Sequence, residues 1–398
     1  MLIEFSVSNF RSFRDKQTLS MVAAPRLQKK ENVFKPEVTG EKLPDLLKVA
    51  AVYGPNASGK SNLILALGIF SGITAASNSE HLPISSFRFD PVLQDKPSEF
   101  EWNFVTDGIR YQYILAATEQ RIWREELYVF PYGKETLLYQ RKFDGVSENY
   151  QFGATLEGGD LVHQAWQNLT GPRTLFIVQA VANSSENLKQ LRAPFEWLDW
   201  NRAVRNGMTP ALQQTLKLIE ERAEIAEGVA RFLQEIDVPI TQIEFLKDSS
   251  LSAERKIRLM HQTALGSAQF RLSEESEGTR NLIGFWVLWV SLNARPQFDL
   301  RLLAIDELDS SLHPNIIIAL LKKRLELEHS NQMIFTTHDT HLMDAKILRR
   351  DQFWITERDA NGATQLRSIH DFAGRESEDI EKRYYEGRYR GLPLLRKR

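Results

Sequence analysis

The chain has 398 residues, a formal net charge of −2 at pH 7 and no cysteine. That length calls for two lobes, and the near-neutral balance excludes a global basic field, so any nucleic-acid contact must come from a local patch. The lack of cysteine excludes disulfides and thiolate-held metals, which fits a reducing compartment.

The opening "LIEFSVSNF" alternates apolar and polar residues, as a half-buried strand does. No charged segment leading into an apolar core follows it, so no signal peptide is expected. "LLKVAAVYG" (46–54) is a nearly continuous apolar run ending in glycine, the pattern of a strand covered on both faces. A helical pattern follows from Ser61 to about Gly72. "FRFDP", "SEFEWNFVTDGIRYQYILAAT" and "RIWREELYVF" then alternate, with turns at "TDG" (106–108) and "YG" (132–133), which predicts an antiparallel meander.

Helix is expected from about Ser184 to Ile236. Leu212, Leu216, Ile219, Ala223, Ala226, Val229 and Leu233 make one apolar stripe there, about seven turns long and far short of a coiled-coil arm. "ITQIEFL" and "RKIRLMHQ" return to strand. "NLIGFWVLWVSLNA" (281–294) reads as a buried helix, too short to span a bilayer. "LRLLAIDE", "QMIFTTHD" and "QFWITERD" are three more strands. A soluble cytoplasmic protein without membrane contact is expected. Strands and helices alternate only over roughly the last 150 residues, as in a parallel sheet. The expected class is therefore α/β, with a nucleotide-binding sheet split by an insertion.

"GPNASGKS" satisfies the phosphate-loop pattern between a buried strand and a helix: Gly54, Pro55, Asn56, Ala57, Ser58, Gly59, Lys60 and Ser61. Its glycines let backbone N–H groups face phosphates, with the positive end of the helix behind them. Lys60 should reach the β- and γ-phosphates, and Ser61 should offer its hydroxyl to Mg²⁺. "LLAIDE" ends a strand in two acids: Asp306 suits Mg²⁺, and Glu307 suits a general base for the attacking water. "IFTTHD" puts His338 at the end of the next strand, where ligands gather in parallel sheets. The acidic strip "RLSEESEGTRNL" (271–282) carries a hydroxyl, a glycine and a helix start at Ser276, Glu277, Gly278 and Thr279, the parts of a second phosphate cradle. One chain needs only one, so the second is expected to close over nucleotide held by another copy.

"FSVSNFRSF", "YGPNASGKSNL", "SEESEGTR", "LLAIDELDSSLHP", "FTTHD" and "YYEGRYRGLPLL" together resemble an ABC-type ATPase of the SMC/RecF/OLD group. More narrowly, they resemble the ATPase subunits of prokaryotic abortive-infection and anti-phage systems of the AbiL and PARIS types. The resemblance implies an ABC-type P-loop NTPase with a mixed sheet, an antiparallel β subdomain and a helical insertion. The halves would be 1–150 and 251–398, with 151–250 the insertion.

It also implies ATP and Mg²⁺ as ligands and a head-to-tail homodimer or higher homo-oligomer. Lys60, Ser61, Asp306 and Glu307 would be the phosphate lysine, the metal ligands and the base. Ser276 to Thr279 would act in trans, Asp309 would lie on the loop coupling the sites, and His338 would be the switch histidine. Arg11, Ser12 and Phe13 fall where related ATPases touch the adenine side, and Asn62 ends the matched loop. Gln179, after "TLFIV", is the candidate for the Mg²⁺-sensing glutamine. The chain would control a separately encoded effector in anti-phage defence. A RecF-like DNA-clamping ATPase is the alternative, with the basic stretch Lys382 to Arg398 as its DNA contact.

Overall fold

A computed structural model describes residues 1–205, 208–246, 256–293, 300–310, 312–376 and 378–392. From the N-terminus, β1 (Leu2–Ser8) and β2 (Gln17–Ser20) pair as a hairpin, and β3 (Val33–Phe34) and β4 (Leu46–Leu47) form a short ribbon. β5 (Val49–Tyr53) has every residue buried, as the apolar run predicted. The meander follows as β6 (Ser98–Thr106), β7 (Ile109–Ala117), β8 (Ile122–Val129), β9 (Thr136–Phe143) and β10 (Glu148–Phe152). The turn between β6 and β7 holds Asp107 at φ 48° and Gly108 at φ 70°, the left-handed pair a two-residue hairpin needs.

Further along lie β11 (Arg202–Val204), β12 (Ile240–Phe245), β13 (Ile257–Thr263), β14 (Gly266–Arg271), β15 (Leu302–Ile305), β16 (Gln332–Thr336), β17 (Phe353–Arg358) and β18 (Thr364–Ser368). Two large sheets result. The first is antiparallel in the order β10-β9-β8-β7-β6-β1-β2; the second runs β11-β15-β16-β5-β17-β18. Neighbours in the second are parallel except β17 and β18, so the sheet is mixed, as expected.

The period of two along its strands feeds two cores. Ala50, Val52, Leu302, Ala304 and Ile334 face the meander and the helix Lys60–Leu67. Val49, Ala51, Leu303, Ile305 and Phe335 face the helix Glu277–Asn293. Gln332 ties the layers, since its Nε2 donates to Leu2 O at 3.0 Å and Leu47 O at 3.1 Å.

The 151–250 stretch divides between those cores. Helices Gly159–Leu169, Phe176–Ala182 and Arg192–Asp199 join the meander side, where Trp197 stacks on Phe104 with centroids 4.0 Å apart. The carboxylate of Glu125 on β8 anchors this group. It accepts the N–H groups of Phe176 (2.6 Å) and Ile177 (3.1 Å) at a helix N-terminus and the hydroxyls of Tyr139 and Tyr113. Helices Thr209–Glu221 and Ala223–Glu235 join the other side, beside Glu277–Asn293.

The continuous helix expected from Ser184 to Ile236 is thus three helices and a strand. Arg222 is extended at φ −144°, ψ 113°, which breaks the stripe into two segments, and Ala223 is exposed. Leu212, Leu216, Ile219, Ala226, Val229 and Leu233 still reach one core, because the two helices pack side by side on it. Pairing with β15 overrides the helical pattern at 202–204, and β14, just before the acidic strip, is a further strand that the sequence did not signal. No helix among the described residues is long and apolar enough to cross a membrane.

Candidate nucleotide site

The phosphate loop leaves the C-terminal end of β5 and enters the helix Lys60–Leu67. A Cβ on Gly59 (φ 108°) would fall 2.1 Å from Thr364 Oγ1, so only glycine fits there. Gly54 is equally confined, 2.4 Å from Thr356 O. Asn56 and Ala57 are exposed at the tip, Ala57 at φ 61°, and Pro55 is half-buried beside them. Ser58 Oγ and Thr356 Oγ1 are 2.6 Å apart, which fixes the loop to β17. Lys60 Nζ donates to Gly54 O (2.8 Å) and Pro55 O (3.2 Å), lying along the loop it would serve. Burial pushes its pKa down, against the opposing pull of Asp306, Glu307 and Asp309.

Ser12 is clipped to this loop. Asn62 Nδ2 donates to Ser12 Oγ at 2.8 Å, Thr364 Oγ1 lies 2.8 Å from the same oxygen, and Thr364 N donates to Ser12 O at 2.7 Å. Arg11 is exposed next to it, at φ 52°, with its N–H on Ser85 O. Phe13 differs from its two neighbours. It is fully buried in the core and has no surface to offer a base, because the Phe10–Phe13 turn points both rings inward.

Asp306 and Glu307 follow β15, one strand away from β5 across β16. The Thr336 hydroxyl positions both, donating to Asp306 Oδ1 at 2.6 Å and accepting the N–H of Glu307 at 2.7 Å. Glu307 is exposed, sits at φ 51° and has no side-chain partner among the described residues. A non-glycine residue held there stores backbone strain of about 1–3 kcal/mol, a cost met typically at working sites. Asp309 Oδ2 accepts the N–H of His338 at 3.2 Å, while its buried Oδ1 is unpartnered. His338 is held below the ordinary imidazole value by burial first and the Lys60 charge second, opposed by Asp309, Glu307 and Asp306. Lys60, Asp306, Glu307, Asp309 and His338 therefore share one electrostatic neighbourhood at the C-terminal end of the sheet.

Ser276 caps the helix Glu277–Asn293: its Oγ accepts the N–H of Thr279 at 3.1 Å and lies 2.9 Å from Thr279 Oγ1. Ser276 and Glu277 are exposed, Gly278 and Thr279 partly so. No hydrogen bond among the described residues joins these four to the phosphate loop or to the acids of β15. Gln179 stays apart too. It lies on Phe176–Ala182, against the meander, with its Oε1 accepting from Asn183 Nδ2 at 3.3 Å and no hydrogen bond to Ser61 or Asp306.

In the described part of the basic C-terminal stretch, three arginines are ion-paired. Arg383 meets Glu378 (2.8 Å), Arg388 meets Glu386 (3.1 Å), Arg390 meets Glu357 (3.4 Å), and Tyr384 Oη donates to Gly391 O. Residues 393–398 lie outside the described residues.

Sequence reading alone missed Thr336, Thr356 and Thr364, the three hydroxyls that hold the loop and the acids. Only Thr336 had a signal, as a hydroxyl two residues before the histidine in "FTTHD".

A glycine-bound phosphate loop beside a strand ending in two acids, on a mixed sheet flanked by an antiparallel one, defines a P-loop nucleotide-binding fold of the ATPase class. Residues 49–344 match the family described as "AAA domain, putative AbiEii toxin, Type IV TA system", and the chain belongs to that family. No curated protein matches the chain significantly. Among solved structures, the chain is similar to the SMC head domain from Thermotoga maritima (17% identity, 92% of this chain and 98% of that one, TM-score 0.41). It is also similar to an SMC head bound to the C-winged helix domain of ScpA (13%, 93% and 99%, 0.46). A third is an SMC head with an extended coiled coil bound to the C-terminal domain of ScpA derived from Pyrococcus furiosus (14%, 93% and 97%, 0.41). The family match carries the assignment.

Proposed function

We propose that the chain binds and hydrolyses ATP as a nucleotide-dependent head-to-tail pair, and through that cycle controls a separately encoded effector in anti-phage defence. One observation carries the reading. Lys60, Asp306, Glu307 and His338 converge on the phosphate loop, whereas no hydrogen bond among the described residues joins the exposed helix start at Ser276 to that loop. A second chain supplies the missing half.

Mg²⁺ fits the donor set: the Ser61 hydroxyl in the first helical turn and Asp306, whose Oδ1 is oriented by Thr336. When bound there, Mg²⁺ would neutralise charge on the β- and γ-phosphate oxygens. Glu307 takes a proton from water as its oxygen bonds the γ-phosphorus, and the bond to the β–γ bridging oxygen breaks to leave ADP and phosphate. Loss of the γ-phosphate removes the contacts that hold the pair.

The defence role and the AbiL or PARIS subgroup rest on the motif set and on the family's description as a putative AbiEii toxin. Within the described part of that stretch, Arg383, Arg388 and Arg390 are paired with carboxylates, which leaves them less free to serve a DNA clamp. Tagged Glu307→Gln chain, recovered from its native host with ATP and Mg²⁺, tests the reading. A stoichiometric second protein is expected; DNA alone would replace it with the clamping reading.

A further inference from the structure

The described part of the C-terminal motif "YYEGRYRGLPLL", Tyr384 to Leu392, links β17 to the turn that follows β16. Against β17 it is seated by Gly391, which has φ 70° and where a Cβ would fall 2.5 Å from Ile355 Cγ2, so only glycine fits. Tyr384 Oη donates to Gly391 O at 2.8 Å, and Arg390 meets Glu357 of β17 at 3.4 Å. The short helix Ile380–Tyr385 carries the contact to the other strand end. Asp379 caps it by accepting the N–H of Lys382 at 2.9 Å, and its Ile380 and Tyr384 are buried. Thr340, two residues past His338, meets this helix through one hydroxyl. Its Oγ1 donates to Glu381 Oε1 at 2.7 Å and lies 2.9 Å from Tyr385 Oη. A hydroxyl has one hydrogen, so with that hydrogen on the carboxylate, Tyr385 is the donor to Thr340.

His338 lies between two pins. On one side the fully buried Thr337 donates its N–H to Val52 O at 3.1 Å, and its Oγ1 accepts the N–H of Asp339 at 2.9 Å. On the other side Thr340 is held by the C-terminal helix. The His338 ring itself makes no hydrogen bond among the described residues; only its backbone N–H is engaged, by Asp309. The backbone on either side therefore sets where the ring stands. We propose that Thr340, fixed by Glu381 and Tyr385, is a positioning residue for His338, which makes the helix Ile380–Tyr385 part of the support of the hydrolytic site. The proposal rests on the nucleotide reading above and adds to it a role for the C-terminal motif. A group that must meet the γ-phosphate within hydrogen-bond range loses rate steeply when it is displaced by about 1 Å. Nucleotide binding through the phosphate loop and Lys60 should be spared.

The test measures kcat and KM for ATP in the wild-type chain, Thr340→Val, Thr340→Ser and Tyr385→Phe. The His338 ring resonance is read by NMR in the same nucleotide-free preparations, and urea midpoints register folding. Thr340→Val keeps the side-chain shape and removes both hydrogen bonds. It should lower kcat by about tenfold or more, leave KM near its wild-type value and shift the His338 resonance. Tyr385→Phe removes one of the two bonds, at an exposed ring, and should act in the same direction but less strongly. Thr340→Ser keeps the hydroxyl and should restore most of the rate and the resonance. A Thr340→Val chain with wild-type kcat, with a loss confined to KM, or with an unmoved His338 resonance overturns the positioning role. A wild-type chain that turns over no ATP overturns the proposed function itself, so the two failures are distinguishable.

Discussion

Two pairs of adjacent acids, one on β8 and one immediately after β15, stand in opposite surroundings. On β8, Glu125 is fully buried and saturated: two backbone N–H groups, two tyrosine hydroxyls and, at 3.9 Å, the Arg141 guanidinium surround it. Its neighbour Glu126 is likewise occupied by Gln140, Tyr128 and Lys142. Just past β15, Asp306 has one hydroxyl contact, and Glu307 has no side-chain partner among the described residues. The first pair is structural because its lone pairs are spent on the fold. The second keeps acceptor capacity at the mouth of a phosphate loop, held in place by one threonine. The two pairs differ in filled coordination: buried Glu125 has its acceptors met by the fold, while exposed Glu307 leaves its own open.

That contrast is easiest to break at Glu307. Replacing it with glutamine removes the proton acceptor and leaves every observed hydrogen bond in place. Phosphate release should fall at least ~10²-fold while ATP binding persists. Retention of wild-type turnover would assign the exposed acid no chemistry. The second cradle comes next. Ser276→Arg puts a bulky cation where a trans phosphate would dock. ATP-driven pairing, followed by light scattering, should weaken by about tenfold or more, while the monomer's own ATP affinity holds. Undiminished pairing would place the partner's contact elsewhere on the chain.

The matching change on β8 should touch stability and not chemistry. Glu125→Gln turns one accepting oxygen into a donor facing donors. It should lower the unfolding free energy by about 1–3 kcal/mol, the cost of buried groups left unpaired. ATP affinity, measured in the same preparation, should not change. Altered affinity with normal stability would mean that the meander side communicates with the site.

The phosphate loop and the two acids were legible because each is contiguous: "GPNASGKS" and "LLAIDE" carry their whole geometry within eight and six residues. The pieces that orient them were not. Thr364 reaches Ser58 and Ser12 across separations of 306 and 352 positions, and no local pattern encodes such a contact. β11 escaped for a different reason. It has three residues, two of them exposed, so it lacks the apolar signature that betrays a strand, and it exists by pairing with β15. Gln179 illustrates the converse: an apolar run ending in glutamine does not say which layer the run will join, and here "TLFIV" packs under the meander. The broken stripe at Arg222 is intermediate. Its period chose the right buried residues, but period alone carries no information about where two packed helices part.

The smallest predicted effect concerns protonation, and it tests whether the site's groups feel one another as their arrangement implies. His338 is a base whose charged form is disfavoured by burial and then by Lys60, with the three carboxylates pulling the other way. Because the net direction is downward from the usual imidazole value of about 6.5, the ring should still be mostly neutral at that pH and take up its proton only on further acidification. NMR titration of the nucleotide-free chain reads this directly. Lys60→Met removes the second cause, leaves the carboxylates, and should move the midpoint upward. A midpoint at or above the ordinary value in the wild-type chain would show that the β15 acids, not burial and Lys60, set the charge beside the loop. The histidine would then meet nucleotide already carrying a proton, closer in role to a fixed cation than to a neutral hydrogen-bonding switch.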